Sequence, residues 1–257
     1  MSIAPHTVGH STVRVWKEGT GTPLLYLHGY EQHPGEAPFL KRLSANRQVI
    51  APEHPGYGES TGFDDIDGVL DMTLHLRRLV ESLGTGPVDV VGHNLGGMFA
   101  AEFAAICPQL TRKLVLSGPF GVWLDEHPAK DFFVLNDTDL KAAKWANAEH
   151  ASLETSLPSS LHEGSHAAVL NRTQNLSVAT KYLWPIPDRG LRKRLPLITA
   201  PTLILQGEAD GLVTPPYARE FVRLIPGAQL QTLPGAGHLP MFEAEDAFVS
   251  AVEAFLG

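Results

Sequence analysis

Four groups of residues in this 257-residue chain have the types that nucleophilic catalysis needs. The first is Gly92-His93-Asn94-Leu95-Gly96. The residues before it, Pro87-Val88-Asp89-Val90-Val91, are rich in β-branched side chains and read as a short strand. The residues after it, 97–105, read as a helix. Flanking glycines leave room for a sharp turn that lifts the central side chain into a pocket, where a Ser, Cys or Asp nucleophile belongs. Asn94 stands at that centre. A carboxamide has no proton that an imidazole usefully removes, and it is a very poor nucleophile.

The other groups supply a base, an orienting acid and oxyanion donors. His238 lies in the Gly/Pro-rich run Leu233-Pro234-Gly235-Ala236-Gly237-His238-Leu239-Pro240, after the last strand-like segment. Such a loop carries an imidazole over the end of a sheet. Asp210, in Gln206-Gly207-Glu208-Ala209-Asp210-Gly211, falls just beyond the preceding strand. It is expected within hydrogen-bond reach of His238, orienting the ring and stabilising its protonated form. Glu208 competes for that role but sits closer to the strand end. His28-Gly29-Tyr30 follows a strand over residues 24–27, so the Tyr30 backbone N–H is expected to pair with that of Leu95 around an oxyanion. Each signal is weak alone. Four in this order, each at the end of a predicted strand, form a specific combination.

The frame that must hold them is α/β. Residues 11–16, 23–28, 48–52 and 113–116 read as strands, with a short helix over 37–44. Asp64 and Asp65 offer an N-cap for a helix with apolar Ile66, Val69, Leu70, Leu74, Leu79 and Leu83. Strands alternating with helices predict a mostly parallel central sheet with helices on both faces. From Phe120 to Arg194 the strand rhythm stops. Helix-like pieces at 130–135, 139–150 and 167–183 accompany Trp123, Trp145, Trp184, Phe132 and Phe133. An aromatic helical insertion predicts a cap over a pocket, with Trp123 and Trp184 binding substrate and Asn94 on the floor. Plain helical packing is the competing account of any one of these aromatics. After Pro196 the alternation returns: strands at 202–206 and 230–233, helices at 216–225 and 244–256. The expected organisation is a core of residues 1–119 and 195–257 with a cap of 120–194.

These residues resemble the α/β-hydrolase superfamily, in its capped branch of esterases, C–C bond hydrolases, haloalkane dehalogenases and epoxide hydrolases. The resemblance spans residues 11–119 and 196–256. It includes Pro52-Glu53-His54-Pro55-Gly56-Tyr57-Gly58-Glu59-Ser60, which is similar to the family's glycine-rich turn, with Glu53 where the family usually has Asp. The G-H-x-L-G-G pattern is most similar to serine esterases and C–C hydrolases. Dehalogenases and epoxide hydrolases carry Asp at the turn, often with an aromatic after it, whereas Leu95 follows here. The resemblance implies hydrolysis of a small organic ester or related carbonyl compound by nucleophile, His238 and Asp210, with Asn94 replacing a serine and inactivating this form. Two other accounts stay open. A naturally Asn-bearing member would bind ligand or use His238 without a covalent intermediate, and an Asp nucleophile would have been exchanged for its amide. Asn tolerates the positive φ of such a turn, so the fold is expected to survive it.

The remaining features mostly exclude. Net charge −8 argues against a nucleic-acid groove or an anionic membrane surface as partner. The apolar runs are strand-sized, so no membrane span is expected. The N-terminal residues lack a basic start and an apolar core, which points to the cytoplasm. Cys107, the single cysteine, is expected as a buried structural thiol. No GxGxxG or P-loop is present, so no cofactor is expected. No metal is expected either, because Gly164 interrupts the His162/His166 pair. His28 and His93 read as structural, His33 and His54 as solvated loop residues, and Arg192-Lys193-Arg194 as a solvated run. The expected partner is a small-molecule substrate, and a homodimer is left open.

Overall fold

The structure, a computed structural model, describes residues 3–31, 33–153, 166–184, 186 and 188–257. Along the chain, β1 (Ala4–Val8), β2 (Ser11–Glu18) and β3 (Pro23–Leu27) are followed by α1 (Pro38–Leu43) and β4 (Gln48–Pro52). Next come α2 (Val69–Leu83), β5 (Val88–His93), α3 (Asn94–Ile106) and β6 (Thr111–Ser117). Then α4 (Asp137–Lys144), α5 (His166–Leu183) and α6 (Leu191–Arg194) precede β7 (Thr202–Gly207). The chain closes with α7 (Pro215–Leu224), β8 (Gln229–Leu233), α8 (Pro240–Glu243) and α9 (Glu245–Leu256).

The strands form one sheet in the order β1-β2-β4-β3-β5-β6-β7-β8. β1 with β2 and β2 with β4 run antiparallel, and the remaining pairs are parallel. A parallel sheet is covered on both faces, so its strands need apolar residues at successive positions. β5 is buried at all six residues, with Val88, Val90 and Val91 supplying the apolar ones. Val90 faces a layer with Leu25, Leu114 and Ile204, packed under Leu76, Phe99 and Phe221 of α2, α3 and α7. Val91 faces the other layer with Leu24, Val115 and Leu205, under Leu40 of α1 and Phe248 and Val252 of α9. Each such side chain, fully buried, contributes roughly 1.5–3 kcal/mol.

Among the described residues no strand lies between β6 and β7. The predicted helices there are partly revised. Residues 130–135 form a turn, because Asp131 Oδ1 takes the Phe133 N–H and the Asp131 carbonyl takes the Val134 N–H. The predicted 139–150 helix is α4 followed, after a break, by a 3₁₀ turn at Ala148–Leu153. Asn136 caps α4 by accepting the Asp139 N–H, and Trp145 is extended, which ends the helix. α2 also starts later than expected. Asp64 and Asp65 lie in a 3₁₀ turn, and Lys181 Nζ from α5 holds the Phe63 and Ile66 carbonyls that a longer helix would need. β1 was not predicted; its mostly exposed side chains carry no apolar alternation.

The sharp turn from β5 into α3 rides directly on β3. A Cβ on Gly96 would lie 2.2 Å from the Leu27 carbonyl oxygen and 2.3 Å from that of His28. Backbone cannot yield there as a flexible side chain would. Gly96→Ala is therefore expected to cost about 1–3 kcal/mol or more by overpacking. The check is urea unfolding, where the midpoint should drop at unchanged slope; an unaltered midpoint contradicts the close approach.

Candidate active site

Asn94 opens α3 at the end of β5 with φ +52°, the only non-glycine residue at positive φ among the described residues. It is fully buried. Its Oδ1 accepts the Leu95 N–H at 2.6 Å, and its Nδ2 donates to His238 Nε2 at 2.6 Å. The partners fix this orientation: a backbone N–H must face the amide oxygen. His238 Nδ1 in turn donates to Asp210 Oδ2 at 2.8 Å. Asp210 Oδ1 accepts the Leu212 and Val213 N–H groups, each at 2.9 Å. A continuous buried hydrogen-bond chain thus runs from Leu95 to Val213. Glu208 is exposed and takes the Gly235 N–H instead.

The sheet order explains the meeting. Parallel strands β5, β6, β7 and β8 end on one edge, so the loops after β5, β7 and β8 converge there. α4 fastens two of them. Its last carbonyls would otherwise lack partners. The Ala143 carbonyl accepts the Gly211 N–H beside Asp210 at 2.9 Å, and the Lys144 carbonyl accepts the His238 N–H at 2.7 Å. His93 Nε2 adds a bond to the His238 carbonyl at 2.9 Å.

Among the other expected residues, Leu95 offers its N–H inside the site, but Asn94 itself engages it. Tyr30 is buried, with its ring stacked on Phe132 at 4.1 Å and its carbonyl accepting the Tyr57 hydroxyl. The Trp123 indole donates to Asp125, and Trp184 is half-exposed with Phe133 edge-on to its ring. His162 lies outside the described residues. One described cavity, about 600 Å³, lies away from Asn94, at the start of α2 against Glu102, Ile106 and Arg194. Among the described residues no group of three His, Cys, Asp or Glu side chains is arranged to hold a metal, and no helix is long and apolar enough to cross a membrane.

Two expectations are corrected. His33 and His54 are buried, not solvated. Their loops fold inward over the strand ends. His33 Nε2 donates to the Ala51 carbonyl, and His54 Nε2 donates to that of His28, with the His28 and His54 rings stacked 3.9 Å apart. Arg192 and Arg194 are not a free solvated run either: Arg192 pairs with Glu220, and Arg194 pairs with the buried Glu102.

Sequence reasoning missed Lys144 and Glu31. Lys144 Nζ lies 3.2 Å from Glu31 Oε1, with both side chains almost wholly buried. Burial opposes the Glu31 charge. The Lys144 ammonium outweighs burial and holds the carboxyl below its usual range. Glu31 crowds the elbow: a Cβ on Gly29 would meet Glu31 Oε2, His93 Nδ1 and Asn94 Cβ together. The available signal was helical spacing, since Lys144 follows Leu140 by one turn and so shares its buried face.

Removing one partner of a buried ion pair leaves a charge without compensation. Lys144→Met is expected to lower stability by about 3–5 kcal/mol, and the double change with Glu31→Leu by clearly less. Thermal or urea unfolding of both variants checks this; no loss in the single variant contradicts it. The buried histidines predict a pH effect. Burial pushes His33, His75 and His93 down to about 4 and His54 to about 3. The unfolded chain therefore binds more protons than the folded one between about pH 4 and pH 6.5. The stability from these groups is fully present above about pH 6.5 and is lost as pH falls towards 4. Urea midpoints at pH 7 and pH 5 should differ accordingly; equal midpoints contradict it.

Comparison with known proteins matches this architecture. The family model of the alpha/beta hydrolase family covers residues 24–251. A Mycobacterium tuberculosis protein provisionally named non-heme bromoperoxidase BpoC is 30% identical, over 92% of this chain and 94% of its own. The pimeloyl-[acyl-carrier protein] methyl ester esterase of Xanthomonas oryzae pv. oryzae is 29% identical, over 93% and 96%. The polyketide synthase ThaQ of Burkholderia thailandensis is 29% identical over 84% of this chain, which spans only 11% of that protein's length. The enol-lactonase of Burkholderia xenovorans LB400, 18% identical, shares the fold with TM-score 0.77 over 98% of this chain and 99% of that one. With the turn, His238 and Asp210 at the strand ends and the family model matched over residues 24–251, the chain belongs to the alpha/beta hydrolase family.

Proposed function

We propose that this site is built to hydrolyse a small organic ester or related carbonyl compound, and that Asn94 silences its covalent step. His238 is the base and acid, Asp210 orients it, and the Leu95 and Tyr30 N–H groups receive the oxyanion. Residues 120–194 act as the cap, with Trp123 and Trp184 on the substrate side. One observation carries the reading: the buried chain Asn94–His238–Asp210, with bonds of 2.6 and 2.8 Å. It is the arrangement in which a hydroxyl at position 94 would hand its proton to His238 and attack a carbonyl. Asp210, holding Nδ1–H, leaves Nε2 free of its own proton and so ready to accept one. With Asn94 in place, Nε2 is instead occupied by the amide. The methyl ester esterase among the relatives favours an ester over other carbonyl substrates.

Asn94→Ser tests this. Loss of the nucleophile in such a unit costs on the order of 10⁶ in turnover. The serine variant is expected to cleave an activated ester faster than the Asn94 chain by several orders of magnitude. It should also take up a serine-directed phosphonylating reagent at position 94. Equal rates on a substrate that both forms accept would mean that His238 works without a covalent partner.

A further inference from the structure

The Asn94 carboxamide sits in this site as a substrate carbonyl would. Its oxygen lies on a backbone donor, the Leu95 N–H at 2.6 Å. Its nitrogen, the group that leaves in amide hydrolysis, lies 2.6 Å from His238 Nε2. The ring behind it is held by Asp210. The oxygen also faces the start of α3, a helix of 13 residues whose N-terminal dipole favours negative charge. These are the parts of an acyl-transfer site, and they are trained on residue 94.

From this geometry we propose that the protein hydrolyses its own Asn94 side chain, giving an aspartate at that position and releasing ammonia. The one co-reactant is water. His238 Nε2 first exchanges its bond from Nδ2–H for one from a water molecule. As that water adds to Cγ, its proton passes to Nε2 and the C=O electron pair moves onto Oδ1, against the Leu95 N–H. Asp210 stabilises the imidazolium. The pair then returns to re-form C=O, the Cγ–Nδ2 bond breaks, and His238 gives its proton to the departing nitrogen. Amide plus water yields carboxylate plus ammonium, with no oxidant or metal involved. The product supplies a carboxylate nucleophile where the amide supplied none.

Ordinary asparagine loss takes a different route, in which the nitrogen of the next residue closes a ring on Cγ and yields a mixture of aspartate and isoaspartate. That route is disfavoured here. The Leu95 N–H lies in the first turn of α3 and points at Oδ1, so its nitrogen is not turned towards Cγ for attack. Product linkage therefore separates the two.

The folded chain, incubated in heavy-oxygen water, is digested and mapped by mass spectrometry. The expected result is an amide-to-acid mass gain at residue 94 carrying one heavy oxygen, with α-linked aspartate alone. His238→Gln should slow it by about a hundredfold or more, the scale of general acid–base assistance. The urea-unfolded chain is a control that needs no variant to fold: there, position 94 should give isoaspartate as well. Three results overturn the proposal: no mass gain at position 94 in the folded chain, isoaspartate from the folded chain, or an unchanged rate in a His238→Gln variant that melts like the parent. The readout needs no ester, so it stands or falls apart from the hydrolysis test.

Discussion

A buried polar chain must be satisfied from end to end, and this one is. Leu95 N–H, the Asn94 amide, the His238 ring, the Asp210 carboxylate and the Leu212 and Val213 N–H groups follow one another without a gap. Leaving any member unmatched in that low-dielectric space costs about 1–3 kcal/mol. The chain therefore dictates where three loops must end and which way each side chain faces. It also accounts for the tolerance of Asn at the turn. Asn suits φ +52°, and its amide is both acceptor and donor, so it meets an N–H on one side and a ring nitrogen on the other.

The fold meets that demand with rigid parts. The parallel strands are locked by apolar layers on both faces, so their ends are fixed relative to one another. The elbow lies so close to β3 that only glycine fits at position 96. Between β6 and β7, α4 takes part in this as well. α4 lends its terminal carbonyls to the loops that carry Asp210 and His238. It also sends Lys144 inward to Glu31, next to the loop that bears Tyr30. The position of α4 and the geometry of the site are therefore one structural problem.

Burial around this centre sets its protonation pattern. The His28–His33–His54 group and His93 stand neutral beside it because desolvation opposes their charged forms. Neutral rings both donate and accept. His28 shows the use of this: Nδ1 donates to the Gly29 carbonyl, while Nε2 accepts the His54 N–H. The strand ends are thus tied together by rings that carry no charge to compete with His238.

Much of this was legible in the sequence, for a local reason. A glycine-flanked turn between a β-branched run and an alanine-rich run fixes the backbone at position 94, and the places of Asp210 and His238 after successive strands follow from alternation along the chain. Those features depend on near neighbours. Sequence did not reveal β1, whose pairing with β2 rests on backbone bonds and not on an apolar pattern. Nor did it reveal that Lys144, His33 and His54 are buried, or that Arg194 meets Glu102. A charged or polar side chain does not declare whether water or a distant partner will satisfy it. Asn94 carries the same lesson: its type and its turn were set locally, but its two partners, one adjacent and one 144 residues away, came together only through the folded sheet.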